Sequence, residues 1–207
     1  MKTTVRGFTL IEMLVVIVII GILAALTMVG VNAAIISSKI SATDAMLNQM
    51  AAQVKAYATK WGDYPPSTLS SIGGTGLNEF NNGIESLTAC LSSREMGGPL
   101  FSPDKSDLYS NTDDDKAGKN INNWYFGDNQ LREITDYFTR PLAYFHFSDY
   151  AKPAASITRM KMAVKGAESR VKPVNDTATK TYLNADKFQI ISAGRDGVFG
   201  TSDDIVK

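Results

Sequence analysis

The chain holds 207 residues, enough for one domain or at most two, with 21 basic side chains against 21 acidic ones. That balance, with the basic residues scattered along the chain, excludes the concentrated positive face on which nucleic-acid binding depends. One cysteine, Cys90, and one histidine, His146, exclude an internal disulfide and an all-Cys/His zinc site within one chain. With 44% hydrophobic residues and a mean hydropathy of -0.09 the average is that of a soluble globular protein. The average conceals where the apolar residues lie.

Nearly all the excess hydrophobicity falls in Phe8 to Val31, a run of 24 residues with a single charge, Glu12. A helix of that length covers about 36 Å, enough for a bilayer core with some tilt. Lys2 and Arg6 precede the run, so the positive-inside rule places the N-terminus in the cytoplasm and the chain after Val31 outside. A cleavable secretory signal is the competing reading, with Val31-Asn32-Ala33 as a small-x-small cleavage site. Against it stand the length of the run, the carboxylate near its start, and a helical pattern that continues past that site. Ile36, Ile40, Thr43, Leu47, Met50, Val54, Tyr57 and Trp61 recur at spacings of four and three, one mostly apolar stripe on a helix face. No proline stands before Pro65. Residues 8 to about 61 therefore read as one helix, apolar all round in its first half (8–31) and amphipathic in its second (32–61).

Gly7-Phe8-Thr9-Leu10-Ile11-Glu12, behind a short basic leader and ahead of the apolar run, resembles the type IV prepilin signal shared by type IV pilins and type II secretion pseudopilins. The resemblance implies cleavage after Gly7 by a prepilin peptidase, N-methylation of the new N-terminal Phe8, and assembly into a filament from the inner membrane. A leader of residues 1–7 would leave 200 of the 207 residues, and losing Lys2 and Arg6 leaves 19 basic against 21 acidic side chains. Glu12 has an independent physical argument. A carboxylate at the bilayer centre costs about 2.5–3.5 kcal/mol on insertion scales, so a charge kept in such a helix marks function. The positive end of the helix dipole offsets part of that cost. In the family's model the carboxylate at this position pairs with the amino terminus of a neighbouring subunit, here that of Phe8.

Past Trp61, Asp63-Tyr64-Pro65-Pro66-Ser67 ends the helix, because proline cannot continue it and biases its predecessor to extended geometry. Residues 62–123 read as a loop-rich insertion, Gly-, Asn-, Ser- and Asp-rich, with one weak helical stretch at Leu77 to Leu91. Strand signals follow over 124–207: Trp124 to Phe126, Leu142 to Phe147, Ile157 to Val164 and Lys187 to Ser192. Three or four antiparallel strands packed on the Ile36–Trp61 stripe make an α+β domain on a helical stalk, a type IV pilin-like fold.

Three downstream segments resemble the major (G-type) pseudopilin of type II secretion: Asp63-Tyr64-Pro65, Asp136 to Tyr144, and Phe188 to Gly197. The second usually reads Asp-Pro-Trp-Gly-x-Pro before an aromatic strand, and Tyr137 and Phe138 depart from that pattern. Gly194 to Asp204 gathers three carboxylates within nine residues among glycines that permit tight turns. Hard cations such as calcium take six to eight oxygens from Asp side chains and loop carbonyls. The resemblance implies calcium in this loop, held by Asp196, Asp203 and Asp204 with Ser202 as a further ligand; the competing reading is a solvated acidic turn.

Other candidates read as structural. Asp113-Asp114-Asp115 sits among Asn, Ser, Gly and Lys and reads as a solvated loop. His146, between Phe145 and Phe147, reads as a satisfied strand histidine, and Cys90 as a small buried thiol. Gly73-Gly74-Thr75-Gly76 lacks the remaining signature of a nucleotide loop. A single histidine and no convergent acid–base motif argue against an enzyme. The expected function is that of a structural subunit of a type II secretion pseudopilus, single-pass in the inner membrane with its C-terminal domain in the periplasm. Its expected partners are its own copies, other pilin-like subunits, the prepilin peptidase and the inner-membrane assembly platform, with no nucleic acid. The alternative is a type IV pilin of a surface pilus for adhesion, motility or DNA uptake; the missing cysteine pair and the acidic C-terminal loop favour secretion.

Overall fold

A computed structural model of the chain describes residues 7–74, 78–92, 99–103, 108–116, 130–152, 158–162, 166 and 168–207. Two compact units divide it, Met1–Lys39 and Ile40–Lys207. The helix expected from the periodicity, α1, runs Leu10–Trp61 as a single uninterrupted element.

In the first unit the helix offers its apolar side chains to the surroundings on every side: Leu10 is 84% exposed, and Ile11, Leu14, Ile17, Ile20, Leu23 and Leu26 follow suit. A helix that is hydrophobic all round is stable only inside a membrane or against other apolar helices. It is long and apolar enough to cross a membrane.

In the second unit the stripe goes inward. Thr43, Met46, Leu47, Met50, Ala51, Val54 and Tyr57 are buried, whereas Ile40 and Trp61 at its two ends stay exposed. The helix stops at Trp61, ahead of Pro65: Gly62 has φ of 85°, the left-handed conformation that closes a helix, and its N–H donates to Ala58 O at 2.8 Å. The proline segment that comes next is anchored along its length. Tyr144 Oη donates to Pro65 O at 2.6 Å, Ser86 Oγ to Pro66 O at 2.6 Å, and the His146 N–H to Ser67 Oγ at 2.5 Å. Residues 65–67 are thereby stitched to two other elements.

One of these is α2, Asn82–Ser92, inside the segment expected to be loop-rich. Every residue from Gly83 to Ser92 is buried, which explains why its helical periodicity is weak: an element enclosed on all sides needs no polar face. The other is β3, Ala143–His146. Gly83 lets α2 approach β3 closely, since a Cβ there would stand 2.3 Å from Tyr144 O.

Among the described residues the strands form three small antiparallel sheets, not the single sheet of three or four strands expected. β1 (Tyr109–Ser110) pairs with β2 (Glu133–Ile134). β4 (Thr158–Lys161) pairs with β5 (Glu168–Val171) in the register Thr158↔Val171. The central sheet has the order β3-β6-β7, in which β6 is Phe188–Ser192 and β7 is Ile205–Val206, with Tyr144 opposite Ile190 and Ile191 opposite Val206. β3 and β6 are buried at every position, as their near-continuous apolar sequences require. The expected strand at Trp124 to Phe126 lies outside the described residues, as do the flanks of the one expected at Ile157 to Val164. Leu47, Met50, Val54 and Tyr57 of α1 share one core with Ile84 and Leu87 of α2, Leu142 to Phe145, and Ile190 and Ile191. The α+β reading holds.

Candidate functional site

The first site is the start of α1. Thr9 is its N-cap and Glu12 its third helical residue. The Thr9 N–H donates to Glu12 Oε2 at 2.8 Å, Thr9 Oγ1 donates to the same oxygen at 2.7 Å, and the Glu12 N–H donates back to Thr9 Oγ1 at 3.3 Å. This is a reciprocal capping box, in which two of the four amides left unpaired at a helix start are satisfied. The sequence carries its signature, Thr-x-x-Glu before an apolar run, which attention to Glu12 and the helix dipole alone passes over. Both bonds from Thr9 go to Oε2; among the described residues no hydrogen bond reaches Oε1. Gly7 and Phe8 stand just outside the helix, both exposed, and a Cβ at Gly7 would meet nothing within 4 Å. The bond between them is open to a peptidase.

The second is the loop after β6. Gly194 has φ of 58°, and a Cβ there would fall 2.2 Å from Asp203 O, so the chain crosses itself where only glycine fits. The carboxylates serve the loop's own amides. Asp196 Oδ1 accepts from the Val198 N–H at 2.7 Å, Asp203 Oδ2 from the Asp196 N–H at 3.0 Å, and Asp204 Oδ2 from the Gly200 N–H at 2.7 Å. Thr201 Oγ1 donates to Asp203 Oδ1 at 2.5 Å, and this bond together with that from Asp196 holds the Asp203 carboxyl down at about 2. Burial pushes Asp204 up, against the Gly200 bond, and its Oδ1 is buried with no hydrogen-bond partner. Ser202 lies exposed between them. Arg140 buttresses the loop: its Nη1 donates to Gly194 O at 2.9 Å and Arg195 O at 3.2 Å.

A third acidic group comes from segments read as solvated loop. Asp113 and Asp115 are half-buried against Glu85 of α2, and only Asp114 faces solvent. Near them Glu133 of β2 is buried. Its Oε1 accepts from Asn81 Nδ2 at 2.8 Å and Thr112 Oγ1 at 3.0 Å, and the Thr112 N–H reaches both its oxygens at 3.1 Å. Burial outweighs those bonds and raises Glu133 to about 7. No spacing rule in the sequence joins Glu85 to Asp113, because the two meet only through tertiary folding.

His146 is a structural histidine in its contacts. Its Nδ1 accepts from the Ser148 N–H at 3.2 Å, which puts the proton on Nε2, 3.1 Å from Asp63 Oδ1. The ring closes the Pro65 turn onto β3. Cys90 is fully buried, and burial pushes its thiol up to about 11.

No curated protein and no solved structure matches the chain. Residues 2–28 match the family model of the prokaryotic N-terminal methylation motif. That motif, a type IV prepilin-like signal, stands directly before a capped apolar helix long enough to cross a membrane; it supports a pilin-like reading and implies processing by a prepilin peptidase.

Proposed function

We propose that the chain is a structural subunit of a type II secretion pseudopilus, a filament built from the inner membrane that supports protein export. The observation that carries this reading is the start of α1: a methylation motif, an exposed Gly7–Phe8 bond, and Glu12 at the head of a helix with no apolar partner of its own. Cleavage after Gly7 frees the Phe8 amine, and methylation leaves it cationic. Glu12 spends Oε2 on its own cap and keeps Oε1 for a second donor, so it can hold its helix start and accept a neighbour's amine together. In an apolar surround such a pair is far stronger than in water, which makes it a register device for stacking helices. The helix then exchanges lipid for close packing against copies of itself, where helix–helix contacts and the buried ion pair set the register. The subunit supplies shape and surface rather than catalysis.

The single cysteine and the acidic C-terminal loop favour the pseudopilus over a surface pilus. The loop's donors fit the calcium that the resemblance implies: they are all hard oxygens, and Asp204 Oδ1 is buried without a partner. Asp196, Ser202, Asp203 and Asp204 would hold the ion, whose charge would offset the mutual repulsion of the three carboxylates.

Imaging filaments in cells that express a tagged copy tests the reading. Periplasmic filaments support it, and fibres that reach the cell surface assign the chain to a pilus instead. In the same cells Glu12→Leu should be cleaved normally yet absent from filaments; normal incorporation would remove Glu12 from the assembly role.

A further inference from the structure

Glu85, Asp113 and Asp115 bring one oxygen each within 4.8 Å of one another. Glu85, in the first turn of α2, is 2% exposed. The two aspartates come from the loop after β1. Glu85 Oε1, Asp113 Oδ1 and Asp115 Oδ1 are all buried and accept no hydrogen bond. Leaving a buried acceptor unpaired costs about 1–3 kcal/mol, and more for a charged group, so three together call for a missing partner.

The surrounding contacts show a shaped site. Asn78 Nδ2 donates to Asp113 Oδ2 at 2.8 Å and to Asp115 Oδ2 at 3.1 Å, while Asn78 Oδ1 accepts from the Phe80 N–H at 2.6 Å and so fixes the amide. Asn111 clasps the backbone of Asp115, donating to its carbonyl at 2.8 Å and accepting its N–H at 3.1 Å. One oxygen of each aspartate is thus tied down and the other left without a donor. Among the described residues no ion pair reaches any of the three carboxylates.

We propose that Glu85, Asp113 and Asp115 form a divalent-cation site, distinct from the C-terminal loop, that takes a hard ion of calcium's class and pins the loop after β1 to α2. The donors are all oxygen, with neither histidine nor thiolate, which selects hard cations over zinc or copper. Without a cation the same groups resist ionisation: burial, with Asp113, Asp115 and Glu133 nearby, raises Glu85 well above the usual carboxylate range, and burial with Asp113 and Asp114 raises Asp115 to about 7. Protons are the competing occupant.

The test is equilibrium dialysis of the full chain in detergent micelles, stripped with a chelator and titrated with calcium alone. D196N/D204N, which disables the C-terminal loop, should still bind one calcium per chain, and adding D113N/D115N should abolish that binding. Glu85→Gln, which keeps the side chain's shape, should weaken it at least tenfold and guards against misfolding of the double variant. Absence of bound calcium in D196N/D204N would show that protons fill the nest and would overturn the proposal, as would undiminished binding after D113N/D115N or Glu85→Gln. None of these outcomes depends on whether the chain builds a pseudopilus.

Discussion

At Thr139 the backbone holds φ at 64°, a left-handed conformation in a β-branched residue. That costs about 1–2 kcal/mol in an L-residue, and it falls where the related pattern Asp-Pro-Trp-Gly-x-Pro carries glycine. Asp136 compensates: its Oδ1 accepts from the Phe138 and Arg140 N–H groups at 2.8 and 3.0 Å, and its Oδ2 from Ser192 Oγ at 2.7 Å. Thr139→Gly should therefore stabilise the domain by about 0.5–1 kcal/mol, the relief of strain less the added freedom of the unfolded chain, read as a higher urea midpoint. Asp136→Ala should cost about 2–4 kcal/mol, because it leaves unpaired the buried Ser192 hydroxyl and two half-buried amides of the turn. A smaller loss than Thr139→Gly gains would contradict the role given to Asp136. The residues of the sequence are unevenly informative. Glu12 announces itself because a carboxylate in an apolar run has few explanations. Asp113 and Asp115 do not, because a polar loop reads the same whether its acids face water or a buried glutamate.

Among the elements, α1 is the most legible, since 52 residues without proline leave little else for its apolar pattern to be. Pro65 and Pro66 predict where it ends, yet Gly62 closes it, so Gly62→Ala should cost about 1 kcal/mol through the strain of a left-handed alanine. Of α2 the sequence shows only a weak trace, and its importance comes entirely from packing. Gly83→Val should be far more damaging than any single change at an exposed position in the second half of α1, because its side chain would collide with Tyr144 O and lift α2 from β3. A melting temperature lowered by several degrees would register the difference; an unchanged one would mean that α2 can slide. The strands are visible as apolar runs, but their pairing is not, since pairing depends on which segments the turns bring side by side.

For the molecule as a whole, the division between Met1–Lys39 and Ile40–Lys207 is a division between two solvents. The first unit has no buried residue of its own among those described, whereas the second holds the entire core. A fragment beginning at Ala34 should therefore be soluble without detergent and unfold cooperatively in a calorimeter. Aggregation of that fragment would show that the core depends on the apolar helix. Its ion pair between Lys207 Nζ and Asp44 Oδ1, 2.7 Å apart, ties the end of the chain to the retained part of α1.

The burial of Cys90 gives the molecule a practical property. Its only thiol is enclosed in the core and held protonated at neutral pH, so the native chain is its own silent background for cysteine chemistry. A cysteine introduced at an exposed site on α1, such as Ile17 or Leu26, would react with a maleimide or an oxidant while Cys90 stays dark. Disulfide crosslinks between such positions would then map, pair by pair, which faces of neighbouring helices meet in the assembled filament.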